Sequence, residues 1–302
     1  MTPLRAWTPA RYGIPLPTGH AFPIAKYAAI RDGLLARGVL APEQLHEPER
    51  AERWALTLVH TAEYLDAILD HGLTPSEERR LGFPWSPALR ERSLRTAQGT
   101  LEAARDALDR GAGMNLAGGT HHAFADHGEG YCCLNDVALA IRVLQREGRV
   151  TRVAIVDLDV HQGNGTAKIF EHDPDVYTFS MHGARNFPFR KERSRCDVEL
   201  NDGTGDAEYL ALLDQHLDDV LDQSRPELVF YLAGSDPYAG DRFGRLALSA
   251  DGLRARDRRV FTACLRRSIP VVLTLAGGYA RDFTDIVNLH CNTVSELVDA
   301  GA

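Results

Sequence analysis

The sequence lacks several features that would have placed the protein in a particular class. It has no run of apolar residues near the length of about 20 that a membrane-spanning helix needs. Its amino-terminal segment, MTPLRAWTPARYGIPLP, has no long apolar stretch, so no signal peptide is predicted. The five cysteines show neither a disulfide spacing nor a CxxC pair, which is typical of thiols in a reducing compartment. These absences predict a cytoplasmic protein without a membrane segment.

The sequence also has fewer positively charged than negatively charged residues. The formal net charge is -8, with 34 Lys and Arg against 42 Asp and Glu. This balance argues against direct nucleic-acid binding through a broad basic surface, and it favours cationic partners such as lysine side chains or polyamines. No repeat, low-complexity tract or linker divides the chain. We therefore expect one domain over 1–302 and make no prediction of oligomeric state.

Helical and strand patterns alternate along most of the chain. Helix-like apolar periodicity covers 88–110, 135–147, 206–223, 252–267 and 280–299, with Ser86-Pro87 as a helix start. Strand-like apolar runs cover 152–157, 176–180, 228–232 and 271–275, with a shorter one at 114–117. This alternation predicts an α/β fold: a three-layer αβα single domain with a mainly parallel central sheet.

Polar residues collect directly after the predicted strands, where parallel α/β sheets bind ligands. Asp159 and His161 follow one strand and, two residues apart in an extended segment, point the same way. Asp236 follows another strand. One imidazole and two carboxylates suit zinc, and three protein ligands leave a coordination position open, as in catalytic sites. These residues are the candidate metal ligands.

The other strand ends supply groups suited to amide hydrolysis. His121 and His122 form a pair that can take a proton from water and return one to a leaving amine. Asp157 and Asn164 are candidates to orient the two imidazoles. Tyr279 can donate a hydrogen bond to a developing oxyanion. The glycines before it, Gly277 and Gly278, let the backbone lie close to a ligand, so they are candidate substrate-binding residues.

Each of these patterns has an ordinary interpretation when taken alone. Asp-x-His pairs arise by chance in surface loops, adjacent histidines are usually polar loop residues, and a tyrosine after glycines often only packs. The convergence of four strand ends on one edge of the sheet favours a catalytic site over these interpretations.

Together, the residues resemble the histone deacetylase family, with its arginase–deacetylase fold. The stretches that carry the resemblance are GGTHHAF (118–124), GYCCLND (130–136), DLDVHQGNGT (157–166), SMH (180–182), GSDPYAGDRFG (234–244) and LAGGY (275–279). They agree in order and spacing from about residue 80 onwards. The Asp-x-His-Gln-Gly-Asn form is most similar to class IV and related bacterial deacetylase-like proteins.

The resemblance implies a role for each matching residue. Asp159, His161 and Asp236 match ligands of one Zn2+ per chain, with Fe2+ as the alternative. His121 and His122 match the catalytic pair, with His122 as general base, and Tyr279 matches the transition-state tyrosine. The implied wall of the acyl-lysine channel is Gly130 and Tyr131. The implied K+ ligands are Asp157, Asp159, His161, Ser180 and Met181 at one site, and Phe170, Asp173, Val176 and Tyr209 at a second.

The sequence departs from the family pattern at a few positions. Asn164 stands where class I members have Asp, which reduces the charge beside the histidine pair. The glycine run before Tyr279 begins with Ala276. The amino-terminal quarter matches least, so His20, Phe22 and Pro23 are candidates for the pocket mouth, with ordinary loop packing as the alternative.

The predicted function is zinc-dependent hydrolysis of an N-acyl amide. The favoured substrate is acyl-lysine, and the alternative is an acetylpolyamine or another small acylated amine. A two-manganese ureohydrolase would need a further carboxylate where Gly163 stands. A catalytically inactive acyl-lysine-binding module would have lost a ligand, the base or the tyrosine, and all are present. A nucleotide-binding enzyme is disfavoured because no GxGxxG or P-loop motif occurs.

Overall fold

In the described part of the chain, eight parallel strands form one sheet whose strand order differs from the order along the sequence. The structure, a computed structural model, describes residues 4–301. The strands are β1 (Ala6–Trp7), β2 (Leu45–His46), β3 (Ala112–Asn115), β4 (Val153–Asp157), β5 (Val176–Gly183), β6 (Cys196–Leu200), β7 (Leu228–Leu232) and β8 (Val271–Thr274). Across the sheet they run β2-β1-β3-β8-β7-β4-β5-β6. Every neighbouring pair is parallel, which confirms the predicted α/β class.

Ten α-helices among the described residues connect and cover these strands. They are α1 (Lys26–Ala36), α2 (Arg53–Leu56), α3 (Ala62–Asp66), α4 (Pro75–Leu81), α5 (Pro87–Arg110), α6 (Asp136–Arg146), α7 (Asn164–Ile169), α8 (Asp206–Ser224), α9 (Ala250–Arg266) and α10 (Phe283–Asp299). A short 3-10 helix covers Pro42–Gln44, and a π-helical turn covers Ala67–His71. None of the helices within 4–301 is long and apolar enough to span a bilayer.

Two apolar cores lie on opposite faces of the sheet. Alternate residues of a strand point to opposite faces, so Ala154 and Val156 of β4 join one core while Val153 and Ile155 join the other. The first core includes residues of α1, α8, α9 and α10, and the second includes residues of α5 and α6. The three-layer αβα arrangement predicted from sequence is therefore present.

Local capping explains why the long helices begin where they do. The Ser86 hydroxyl accepts a hydrogen bond from the Leu89 N–H at 3.1 Å, and Pro87 occupies the first turn of α5, as predicted. Asn135 caps α6 in the same way through the Ala138 N–H, at 3.0 Å. The five predicted helices agree with α5, α6, α8, α9 and α10 to within three residues at each end.

The sequence did not predict three of the strands. β1 and β2 have two residues each, too few to show a periodicity. β6 lies at the edge of the sheet and exposes Asp197 and Glu199 between buried residues, so it has no continuous apolar run. The strand predicted at 114–117 lies earlier, at β3, and its last predicted residues belong to the loop that enters the site.

Candidate active site

Four strands that are neighbours in the middle of the sheet deliver the candidate residues to one edge. In the order β3-β8-β7-β4, their carboxyl ends lead into the segments 116–122, 275–279, 233–236 and 158–164. Hydrogen bonds join these segments, with the Leu275 N–H donating to Ala117 O at 3.1 Å and the Ser235 N–H to Gly277 O at 3.0 Å. The parallel sheet therefore holds the predicted site residues side by side.

Asp159, His161 and Asp236 form one compact buried cluster. Each offers a ligand atom, and these atoms all lie within 4.8 Å of one another. His161 Nδ1 lies 2.9 Å from Asp159 Oδ1 and 3.2 Å from Asp236 Oδ2. No other group of three or more His, Cys, Asp or Glu within 4–301 meets the same criterion. The geometry accommodates a single metal ion.

The chemistry of this cluster fits a bound cation. Asp236 Oδ2 is buried and accepts no hydrogen bond. Burial raises the pKa of Asp236 to about 7, and the charge of Asp159 adds to the rise. Two carboxylates in a buried site disfavour each other's charge unless a positive group lies between them. A divalent metal ion would satisfy the unpaired oxygen and neutralise both carboxylates.

Backbone groups hold the carboxylates in place from behind. The Gly277 N–H donates to Asp159 Oδ2 at 2.8 Å, and the Val160 N–H donates to Asp236 Oδ1 at 3.0 Å. A Cβ atom at Gly277 would collide with the carboxylates of both aspartates, and one at Gly234 would collide with that of Asp159. Gly277 therefore lies directly against the two aspartates, where no side chain would fit.

The two histidines of the pair have opposite protonation preferences. His121 Nδ1 lies 2.6 Å from Asp157 Oδ2, and His122 Nδ1 lies 2.7 Å from the amide oxygen of Asn164. Burial lowers the pKa of His121, but the charge of Asp157 outweighs it and raises the pKa to about 9. Burial and the charge of His121 hold the pKa of His122 well below 6.5. One imidazole is thereby suited to donate a proton and the other to accept one.

Tyr279 enters the same pocket from the β8 end. Its backbone N–H donates to Asp241 Oδ2 at 2.7 Å, and its ring lies 5.0 Å from that of Phe243 and 6.1 Å from that of Tyr131. Burial, with the charges of Asp236 and Asp159, raises the pKa of Tyr279 well above 10.0. The phenol therefore stays protonated and able to donate a hydrogen bond.

An open pocket of about 600 Å³ leads to these residues. Its lining includes His122, His161 and Tyr279 together with the predicted channel residues Gly130 and Tyr131. A Cβ atom at Gly130 would lie 2.7 Å from the His122 ring and 3.0 Å from the Phe187 ring, so glycine leaves the passage open there. A smaller cavity of about 50 Å³ adjoins Asp159 and His161 and is also lined by Phe22 and Tyr27.

The three predicted mouth residues have different surroundings in the structure. Phe22 lies in the aromatic wall, with its ring 5.2 Å from that of Tyr131 and 6.2 Å from that of Tyr279. His20 stacks on Phe83 at 5.7 Å and its Nε2 lies 3.0 Å from Gly82 O. Pro23 only begins the turn before α1, where its carbonyl accepts from the Lys26 N–H at 2.9 Å.

The residues of the first implied potassium site lie together, whereas those of the second do not. Asp157 and Ser180 are paired neighbours on β4 and β5, with Met181 next in β5, so the first set is contiguous with the site. In the second set, Phe170 and Val176 belong to the core on one face of the sheet, while Tyr209 belongs to the core on the other. Because the sheet separates Tyr209 from Phe170, Asp173 and Val176, these four residues do not form one site.

Sequence reasoning missed residues that hold the site residues in place. Asn164 Nδ2 donates to Glu129 Oε2 at 3.0 Å, which extends the His122–Asn164 contact to a carboxylate. Asp136 accepts from the backbone N–H of Gly119 and Thr120 at 2.9 and 2.7 Å and so fixes the loop before the histidine pair. Asp136 lies in GYCCLND (130–136), one of the stretches that carry the family resemblance, so the sequence did offer a signal for it. No motif or spacing in the sequence indicates the contact between Glu129 and Asn164.

A fully buried lysine is another residue that the sequence did not single out. Lys26 Nζ lies 3.4 Å from Ala276 O, 3.3 Å from Gly278 O and 5.3 Å from the centroid of the Tyr279 ring. It therefore ties α1 to the backbone beside Tyr279. Gly278, whose carbonyl it contacts, is placed against Ser235 and His290.

Comparisons with known proteins agree with this geometry. Residues 20–294 match the model of the histone deacetylase domain. An uncharacterized protein of Picosynechococcus sp. is 47% identical over 279 residues, covering 92% of this chain and 93% of the relative. Histone deacetylase 2 of Arabidopsis thaliana is 32% identical over 277 residues, covering 89% and 72%. The crystal structure of an HDAC homolog from Aquifex aeolicus superimposes with a TM-score of 0.81 at 21% identity, covering 98% and 84%. The chain therefore belongs to the histone deacetylase family.

Proposed function

We propose that the protein hydrolyses N-acyl amides, with acetyl-lysine as its substrate and one zinc ion, or iron(II), at Asp159, His161 and Asp236. The observation that carries this proposal is the meeting of three sets of groups at one pocket: the three candidate ligands, the two histidines with opposite protonation preferences, and a protonated phenol. A bound metal ion would supply Lewis acidity, which polarises an amide carbonyl and lowers the pKa of water.

The histidine pair supports proton transfer in both directions. His122 is neutral, and its Nδ1 is engaged with the Asn164 oxygen, so Nε2 is the nitrogen that accepts a proton from the attacking water. A protonated histidine of the pair then donates to the leaving amine. Asp157 keeps His121 charged and correctly oriented. The phenol of Tyr279 donates to the carbonyl oxygen as negative charge develops on it.

The cavity beside the candidate ligands favours a short acyl group. Its volume is about 50 Å³. One water-sized group needs roughly 10–15 Å³ on the same measure, so the cavity has room for an acetyl group and not for a long fatty chain. We therefore expect acetyl-lysine to be hydrolysed faster than long-chain acyl-lysine.

A substrate panel tests the proposed function directly. Purified protein would be loaded with zinc and given peptides that carry acetyl-lysine or longer acyl-lysines, and acetylated polyamines, while its metal content is measured. We expect release of acetate from the acetyl-lysine peptide and about one metal ion per chain. If the protein binds one ion yet hydrolyses none of these amides, the proposal fails, and binding of the acetyl-lysine peptide without turnover would identify an acyl-lysine-binding module. Faster turnover of acetylpolyamines than of peptides would assign the enzyme to small amines.

Glu129 should tune His122 through Asn164. Replacing Glu129 with Gln keeps an acceptor for the Asn164 amide but removes a negative charge that favours protonated His122. The pKa of His122 should then fall, so the acid side of the kcat/KM profile should shift to lower pH by about half a unit. The measurement is kcat/KM against pH, with Asp126→Asn, an exposed change three residues away, as control. An equal drop in rate at every pH would indicate only a structural role for Glu129.

A further inference from the structure

The mouth of the large pocket is positively charged, in contrast to the chain as a whole. The lining of this pocket contains five arginines and no aspartate or glutamate, although the formal net charge of the protein is -8. We call these arginines the arginine rim; its members are Arg79, Arg80, Arg185, Arg242 and Arg245. All five are exposed. The charge that an approaching substrate meets is therefore opposite to the charge that the composition indicates.

Few carboxylates neutralise this rim. Asp202 lies 3.2 Å from Arg245 and 3.9 Å from Arg185, so one carboxylate serves two guanidinium groups. Within residues 4–301, Arg79 and Arg80 make no ion pair with a carboxylate. The guanidinium of Arg242 donates to two backbone carbonyls, those of Tyr279 at 3.0 Å and Ala21 at 2.8 Å. The rim keeps a net positive charge that can act on a ligand.

The rim arises from separate parts of the fold and includes apolar surface. Arg79 and Arg80 lie in the last turns of α4, Arg185 follows β5, and Arg242 and Arg245 lie in the loop after β7. Phe189 in the same lining is 88% exposed, which is unusual for a large apolar side chain. A ligand that meets several of these groups at once must extend across the mouth, as a polypeptide does.

On the basis of the proposed function, we infer that the substrate is an acyl-lysine within an acidic polypeptide segment. The acyl-lysine side chain enters the pocket, and Asp or Glu residues on either side of it pair with the arginine rim. Guanidinium groups pair well with carboxylates, and charge complementarity at a mouth accelerates association and selects among partners. Acetylpolyamines, which carry positive charge outside the acyl group, are repelled by the same residues.

Matched peptides test this inference. Three acetyl-lysine peptides of equal length, flanked by Glu, Gln or Lys, are compared by kcat/KM and, through a fluorescent label, by binding affinity. We expect the order Glu, then Gln, then Lys, with about tenfold between the extremes for two or more exposed charge pairs. The difference should shrink as salt increases, because exposed charges are screened. Equal values, or a preference for Lys or for acetylspermidine, would overturn the inference.

A double variant locates the effect on the rim. Arg79→Gln with Arg80→Gln should reduce the Glu-to-Lys ratio to about twofold, while kcat/KM for a neutral acetyl-lysine amide stays within about twofold. The control is Arg259→Gln with Arg267→Gln, which removes the same charge from α9 and the residue that follows it, where both arginines pair with aspartates of α8. An unchanged ratio in the rim variant would contradict the inference, as would preference for small anionic N-acetyl compounds over the acidic peptide.

The binding measurement separates this inference from the proposed function. If no peptide is hydrolysed but the acidic peptide binds more tightly than the basic one, and the rim variant loses that preference, the rim inference stands and the hydrolase proposal fails. If the neutral amide is hydrolysed but flanking charge has no effect, the hydrolase proposal stands and the rim inference fails.

Discussion

Replacing Asp236 with Asn is expected to abolish metal uptake while leaving the fold intact. The substitution exchanges Oδ2, which accepts no hydrogen bond, for an NH2 group and keeps Oδ1 for the Val160 N–H. An amide is a poor partner for zinc and carries no charge to offset the ion. The variant should retain less than about 0.1 ion per chain after dialysis and lose at least roughly 10³-fold in kcat/KM.

Thermal unfolding provides a measurement of the same change that does not depend on activity. Zinc should raise the Tm of the parent protein, because an ion that binds only the native state stabilises it, and it should leave the Tm of Asp236→Asn unchanged. The metal-free variant should be at least as stable as the metal-free parent, since the substitution removes one of two buried carboxylates that disfavour each other's charge. The control is Asp219→Asn, at an exposed position of α8. One bound zinc per chain in the variant would show that the ligand assignment is wrong.

The sequence predicted the strand ends well because each one combines a buried strand with polar residues that have no structural reason to follow it. Asp159, His161, Asp236 and Tyr279 could be identified in this way. The sequence could not show that β3, β8, β7 and β4 are neighbours, because their pairing joins residues far apart in the chain, as in Met114 opposite Leu273 and Val153 opposite Leu228. The prediction of a shared site instead depended on the general rule that the carboxyl ends of parallel strands lie at the same edge of a sheet.

Features that depend on long-range packing were missed or misplaced. Glu129 reaches Asn164 only because the loop before α6 folds back over α7, and neither residue type nor spacing predicts this contact. Tyr209 was grouped with Phe170 and Val176, but α8 packs Tyr209 into the core on the opposite face of the sheet from these two residues. The arginine rim was hidden by the net charge, since a total says nothing about where charges lie.

Replacing Tyr279 with Phe should reduce the rate strongly without affecting metal binding or stability. Among residues 4–301 no hydrogen bond ties down the phenol hydroxyl, so its loss costs the fold little. Removal of one oxyanion donor typically costs about 10²–10³ in kcat, and the raised pKa of Tyr279 keeps the phenol a donor across neutral pH. The loss should appear in kcat more than in KM, because the hydrogen bond strengthens as charge develops on the carbonyl oxygen.

The interpretation of this variant depends on two further measurements. Metal content and Tm should match those of the parent, which separates a catalytic effect from a disturbed site. Tyr177→Phe, which removes a hydroxyl that donates to Gln223 Oε1 at 3.3 Å, should keep full activity. A loss of less than about threefold for Tyr279→Phe would exclude the phenol from oxyanion stabilisation, because even one modest hydrogen bond to a charged group is worth more than that. A metal ion held by Asp159, His161 and Asp236 would then have to stabilise the developing charge without the phenol.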